Sequence, residues 1–238
     1  MRALDRTHGI LVVSGTGTEI GKTVTTAALA ACVLRSGRSV AVLKPAQTGV
    51  AAGEPGDVAE VLRLAGGEVT GHELARYPEP LAPETAARRA GMPYVSPRDT
   101  AEAAEKLAAS HDVVLVEGAG GLLVRFDEDG ATLADAARLL RAPVLVVTTA
   151  GLGTLNSTAL TAEALRARGL ECAGVVIGSA PSEPGLAERC NLADLPLSCG
   201  APLLGALPTG AAALSPHAFR GRAPSWLDPR LGGTAAFP

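Results

Sequence analysis

Lysine is nearly missing from this sequence: Lys22, Lys44 and Lys106 stand beside eighteen arginines in 238 residues. Where any positive charge will do, the chain uses arginine, so Lys22 and Lys44 mark places that want a compact ammonium on a flexible stem. Lys106 falls on the polar stripe of Ala101 to Ala109 and needs no such reading. Aromatic residues are scarce as well, 3% against 47% hydrophobic, which predicts a core of Ala, Val and Leu such as fills a sheet covered on both faces. There is no surplus of positive charge. The net charge is -3 and the arginines are scattered, which argues against nucleic acid and anionic membranes as partners. No apolar run reaches the length of a membrane span, and the polar stretch Met1 to Gly9 lacks the apolar segment of a secretory leader, so a cytoplasmic location is expected. Cys32, Cys172, Cys190 and Cys199 share no C-x-x-C spacing and read as reduced packing thiols. His8, His72, His111 and His217 are too dispersed to suggest zinc.

What is present begins at the first apolar run. Ile10 to Val13 leads directly into Ser14-Gly-Thr-Gly-Thr-Glu-Ile-Gly-Lys-Thr23 and then an alanine-rich helix, which is how a backbone turns its amides toward a polyphosphate. Lys22 would neutralise phosphate oxygens and the Thr23 hydroxyl would ligate magnesium. The loop is a variant, with Thr16 where the usual pattern has glycine and Gly15 one position early.

Further β-rich apolar runs are Val40 to Leu43, Val113 to Val116, Val144 to Val147 and Val175 to Ile177. Helical patterns alternate with them: Lys22 to Arg35, Asp57 to Ala65, Asp99 to Ala109, Thr132 to Arg141 and Asn156 to Arg168. Continuous apolar strands separated by helices predict a three-layer α/β fold, a mostly parallel sheet with helices on both faces. One domain is expected over residues 1–238, with proline- and glycine-rich loops at Arg76 to Pro83 and an irregular tail from about Pro208. Such sheets bind ligands beyond the carboxyl ends of their strands. That rim collects the phosphate loop, Lys44-Pro45 at the end of the second strand, Glu117-Gly-Ala-Gly-Gly121 after the third, and Thr148 to Asn156 after the fourth.

Pro45 biases Lys44 toward extended backbone beside the phosphate loop. Glu117, directly after an apolar strand, holds the place of a magnesium-binding carboxylate, though most nucleotide-hydrolysing proteins have Asp there. Asp57 has two readings: a carboxylate capping the helix it begins, or a magnesium ligand. Thr148 to Asn156 likewise reads either as an ordinary turn capped by Asn156 or as a set of amides receiving a carboxylate.

Taken together, the phosphate loop, Lys44-Pro-Ala-Gln-Thr48, Asp57, Val-Glu-Gly-Ala-Gly-Gly121 and Gly-Leu-Gly-Thr-Leu-Asn156 resemble dethiobiotin synthetase, a P-loop NTPase-like family, from about Ile10 to Pro208. The resemblance implies ATP-dependent closure of the ureido ring of dethiobiotin from 7,8-diaminopelargonic acid and carbon dioxide, through a carbamate and a carbamic-phosphoric anhydride, with Mg2+ bound. It implies that Lys22 and Lys44 are catalytic and that Thr23, Asp57 and Glu117 hold the metal. Glu19, Ile20, Gly21, Lys22, Thr23, Val24, Gly118, Ala119 and Gly120 would line the nucleotide phosphates. Thr16 and Thr48 would touch the diamine or carbamate. Gly151, Leu152, Gly153, Thr154 and Asn156 would bind the substrate carboxylate from the neighbouring subunit of a homodimer. The family often reads adenine with an Asn-Asp pair where this chain has Gly178-Ser179, and its acidic ribose contact has no equivalent near Ser215. Backbone at Gly178 and Ser179, with Pro208, Thr209 and Gly210 closing over the base, implies that other nucleoside triphosphates are accepted.

Two other classes share parts of this pattern. A partitioning or positioning ATPase of the ParA or MinD kind usually has a further lysine early in the loop, where this chain has Ser14, Gly15 and Thr16. An amide-forming ligase of the cobyrinic acid type is expected to continue into a glutaminase domain.

Overall fold

The computed structural model describes residues 9–237; His8, the polar start of the chain before Gly9, and Pro238 lie outside the described residues. Seven strands form one sheet: β1 Gly9–Gly15, β2 Val40–Thr48, β3 Thr70–Tyr77, β4 Val113–Glu117, β5 Val144–Thr148, β6 Cys172–Ala180 and β7 Leu203–Pro208. Their order is β3-β2-β4-β1-β5-β6-β7, and every pairing is parallel. Eight helices connect and cover them: α1 Lys22–Arg35, α2 Asp57–Ala65, α3 Pro83–Ala90, α4 Pro97–Ala108, α5 Leu133–Leu140, α6 Thr154–Ala167, α7 Leu186–Cys199 and α8 Pro216–Arg222.

Alternate residues of each strand enter alternate layers, as the pleat requires. Leu11, Val13, Val42, Leu115, Val147 and Val176 pack under α1 and α2; Val12, Leu43, Val114, Val116 and Val146 pack under α4 and α5. Burial on both faces is why the central strands read as unbroken apolar runs. The chain builds outward from β1 to one side through β2 and β3, returns to place β4 against β1, and only then adds β5 on the other side. The strand order therefore reverses around β1, and the crevice at its carboxyl end is where such sheets take ligands.

Several expectations need correction. β3 and β7 were not anticipated, and Arg76 and Tyr77, read as loop, end β3. β2 does not stop at Lys44: it runs on to Thr48, with Lys44 inside the strand. α6 begins at Thr154 after a left-handed Gly153, so Asn156 lies within the helix and does not cap it. α4 begins two residues early because Ser96 and Asp99 form a reciprocal capping box. The residues after Pro208 are not an irregular tail. They contain α8 and three short 3-10 turns, and Phe219, Ala223, Leu227 and Leu231 are fully buried in the same layer as α1 and α2. No helix among the described residues is long and apolar enough to cross a membrane.

Candidate active site

The phosphate loop bends through two left-handed residues, Glu19 at φ 56° and Gly21 at φ 91°, before α1 begins. Glycine is required at 21 twice over, because a Cβ there would also collide with the backbone of Gly178 at the end of β6. Lys22 folds back over the loop and its Nζ donates to the Gly17 carbonyl at 2.6 Å. It is 8% exposed. Burial and then the neighbouring Lys44 charge lower its pKa from 10.5 to about 8.

Four polar side chains meet beside the loop. Thr23 Oγ1, from the first turn of α1, donates to Glu117 Oε1 at 2.9 Å. Lys44 Nζ donates to the same oxygen at 2.9 Å and to the Gly118 carbonyl at 3.0 Å, and pairs with Asp57 Oδ2 at 2.6 Å. Lys44 and Glu117 are 3% and 1% exposed, so the charges are nearly dry. Burial pushes the Lys44 pKa down, but the Glu117 and Asp57 carboxylates outweigh that, and its pKa is raised. Removing one partner of such a buried pair leaves the other charge uncompensated, at a cost of about 3–5 kcal/mol.

Asp57 does not serve as a cap. The capping residue of α2 is Gly56, which has no side chain to offer, and the Asp57 carboxylate turns to Lys44. The free amide at Asp57 is taken instead by Gln47 Oε1 at 2.8 Å, while Gln47 Nε2 donates to the Thr48 carbonyl at 3.1 Å. Gln47 was missed in the sequence although it lies in the Lys-Pro-Ala-Gln-Thr motif; a helix opening on Gly56 with nothing to cap it was the available signal.

A cavity of about 440 Å³ opens over this cluster, lined by Glu19, Gly21, Lys22, Thr23, Val24, Lys44, Thr48, Asp57, Ala119 and Gly120, with Thr18, Ala46, Gln47 and Val50 completing the wall. Ile20, Glu117 and Gly118 are not on its wall; Ile20 is 8% exposed and packs under the loop. Gly178 and Ser179 lie against the loop through Gly21, and Ser179 Oγ meets Thr209 Oγ1 at 2.9 Å, so β6 and the Pro208–Gly210 segment converge there. Thr16 stands at the carboxyl end of β1 and is hydrogen-bonded to Thr148. In the 151–156 turn Leu152 is 92% exposed, whereas Thr154 is 1% exposed with its hydroxyl turned to the Thr149 carbonyl.

For magnesium, Glu117 Oε2 is buried without a hydrogen-bond partner, an anionic oxygen awaiting a cation. Thr23, Asp57 and Glu117 supply the hard oxygen donors that Mg2+ prefers. Among the described residues no group of three or more His, Cys, Asp and Glu side chains is placed to hold a metal by itself.

The family described as an AAA domain matches residues 9–216. The chain is 70% identical over 225 residues to the ATP-dependent dethiobiotin synthetase of Streptomyces avermitilis, covering 94% of each chain. It is 70% identical over 224 residues to that of Saccharopolyspora erythraea, covering 94% of this chain and 97% of the relative. Among solved structures a ParA family ATPase from Chlorobium tepidum superposes with a TM-score of 0.58 at 12% identity, covering 94% and 95% of the two chains, a likeness of fold alone. With matches of this extent and identity, the chain belongs to the ATP-dependent dethiobiotin synthetase family.

Proposed function

We propose that this chain, acting as a single P-loop-type α/β domain, closes the ureido ring of dethiobiotin from 7,8-diaminopelargonic acid, carbon dioxide and ATP in biotin biosynthesis. The observation that carries the reading is the meeting of Lys44 with Glu117, Asp57 and Thr23 over the phosphate loop. One amine captures carbon dioxide as a carbamate. A carbamate oxygen then attacks the γ-phosphorus, releasing ADP, and the second amine attacks the resulting carbamic-phosphoric anhydride, closing the ring as phosphate leaves. Each stage gathers negative charge that must be held in line for phosphoryl transfer.

The residues match that need. Glu19 to Val24 hold the phosphates by backbone amides and the first turn of α1. The Lys22 and Lys44 ammonium groups flank carbamate and γ-phosphate, and in a nearly dry site their attraction for the developing charge is strong. Thr23, Asp57 and Glu117 would hold Mg2+, which when bound neutralises phosphate charge. Gly118, Ala119 and Gly120 allow close approach of backbone to phosphate. Thr16 and Thr48 face the diamine. Gly178, Ser179, Pro208, Thr209 and Gly210 surround the base. The exposed turn at Gly151, Leu152, Gly153 and Asn156 meets the substrate carboxylate of a neighbouring subunit in a homodimer, with Thr154 fixing the turn from within. The enzyme works in the cytoplasm.

The decisive experiment supplies diaminopelargonic acid, bicarbonate, magnesium and ATP and follows dethiobiotin by mass spectrometry. Dethiobiotin formed with one ADP per ring is the expected result. ATP hydrolysis without dethiobiotin would instead identify a nucleotide switch of the ParA kind.

A further inference from the structure

Four threonine hydroxyls form a branched chain at the carboxyl ends of β1 and β5 and the start of α6. Thr16 Oγ1 lies 3.2 Å from Thr148 Oγ1, which lies 2.7 Å from Thr154 Oγ1 and 2.9 Å from Thr158 Oγ1. Thr154 Oγ1 in turn donates to the Thr149 carbonyl at 2.7 Å. Thr148 is fully buried, and Thr154 and Thr158 are each 1% exposed. A hydroxyl has one proton to give and two lone pairs to receive. A carbonyl only accepts, so the Thr154 proton is committed there and Thr154 faces Thr148 as an acceptor. The single Thr148 proton must then point at Thr154, which leaves its two lone pairs for Thr158 and Thr16. Thr148 is thereby saturated, as burial demands. The protons run in one direction, from Thr16 to Thr148 to Thr154 to the Thr149 carbonyl.

We propose that Thr148 is a positioning residue that fixes Thr16 as a hydrogen-bond acceptor toward the substrate. With its proton turned inward, Thr16, which is half-buried at the end of β1 and off the wall of the 440 Å³ cavity, has only lone pairs left to offer a substrate. That suits an N–H of the diamine and disfavours a carboxylate or phosphate oxygen, so the chain of hydroxyls selects for an amine at this spot. The link to Thr16 is the longest of the four, so the bias is of the order of one weak hydrogen bond. The proposal rests on the reading that Thr16 touches the diamine.

The test is steady-state kinetics of the full chain with diamine, bicarbonate, magnesium and ATP, together with inhibition by inorganic phosphate and thermal unfolding, for Thr148→Val, Thr148→Ser, Thr158→Val and Thr16→Val. Thr148→Val keeps the shape and frees the Thr16 proton. It should raise the KM for the diamine about five- to tenfold and tighten phosphate inhibition severalfold, with the KM for ATP within about twofold of wild type. Thr148→Ser should restore both values. Thr158→Val should lose stability alone, because the ordered path from Thr16 stays intact. A scaffold role would weaken diamine and phosphate together; that result, or no change in either, overturns the proposal. Thr16→Val leaving the diamine KM unchanged removes the Thr16 contact and the proposal with it. Thr16→Val raising it while Thr148→Val has no effect removes only the role of Thr148. Should Thr148→Val fail to fold, Thr154→Ala abolishes the proton order by another route, and phosphate inhibition that does not tighten overturns the proposal.

Discussion

Lys22 and Lys44 share one cavity and one charge, yet the protein treats them oppositely. Lys22 is buried with a backbone carbonyl as its hydrogen-bond partner, and burial and Lys44 depress its pKa from 10.5 to about 8. The unfolded chain binds that proton more tightly, so keeping Lys22 charged costs stability, fully below pH 8 and less as pH rises toward 10.5. Lys44 lies between two carboxylates that raise its pKa, so its charge contributes stability below 10.5 that is lost only as pH rises through the folded value. Losing the same charge should therefore have opposite effects. Lys22→Met should stabilise the fold at pH 7 by up to about 3 kcal/mol, with a smaller gain at pH 9.5. Lys44→Met should destabilise it by about 3–5 kcal/mol, because Glu117 and Asp57 are left facing each other. Both should cut turnover by about a hundredfold or more, since on the proposed reading each removes a cation from the transferring phosphoryl group. Urea unfolding at the two pH values checks the signs; a destabilised Lys22→Met would show that its position in the loop matters more than its desolvation.

At the scale of elements, the phosphate loop and the end of β6 are built as a pair. Gly21 and Gly178 stand back to back, and a Cβ on Gly178 would run into the Ile20 carbonyl inside the loop. Glycine at 178 is thus a packing requirement of this chain. The asparagine that the resembled family often has at this place would have to displace the loop at Ile20. Gly178→Ala should cost about 1–3 kcal/mol as overpacking, and raise the KM for ATP by displacing Ile20 and Gly21. On the proposed placement of the base, the lack of an amide or carboxylate side chain at 178 and 179 predicts that ATP is preferred over CTP and GTP by less than about tenfold in competition, one or two hydrogen bonds short of a selective pocket. A large preference for ATP would mean that backbone at Ser179 and Thr209 reads the base by itself.

Much of this arrangement was legible because the sequence states it in local signals. The five central strands are doubly buried and so appear as apolar runs; Lys22 and Thr23 follow the loop after β1, Lys44 follows the apolar run of β2, and Glu117 ends β4, near the rim where a parallel sheet must place its ligands. β3 left no such trace: it is an edge strand whose residues from Thr70 to Arg76 are exposed or half-buried, so neither continuity nor alternation marks it. Asn156 looks like a cap in the sequence, but the left-handed Gly153 ends the turn first and α6 starts two residues earlier. The hydroxyl chain from Thr16 to Thr154 joins residues 132 and 6 apart in sequence, a register that only the folded sheet supplies.

At the scale of the whole molecule, the layer over α1 and α2 is completed by residues that read as loop. Ser215 and Pro216 start α8 as N-cap and first helical residue, a signal that was present but short. The helix ends in Arg220 and Arg222 and carries one large apolar residue, Phe219, too little for a visible period. Phe219 is fully buried and meets Trp226 edge to face at 5.3 Å, and both pack in the layer that contains Leu29 of α1. In a chain with so few aromatics, this pair is a large share of what holds the last part of the sequence to the sheet. Phe219→Ala should cost about 3–5 kcal/mol, a large fraction of the stability usual for a domain. Because α8 contacts α2 and α1 behind the loop and is absent from the cavity wall, kcat and both KM values should stay within about twofold at temperatures where the variant is folded. Urea unfolding followed by tryptophan fluorescence and by far-ultraviolet circular dichroism reads this directly. Coincident transitions, shifted together to lower urea with unchanged slope, are expected if the C-terminal part and the sheet unfold as one unit. A separate early fluorescence transition, with the helical signal and activity retained beyond it, would show that Trp226 and its neighbours are an appendage on a core that stands without them.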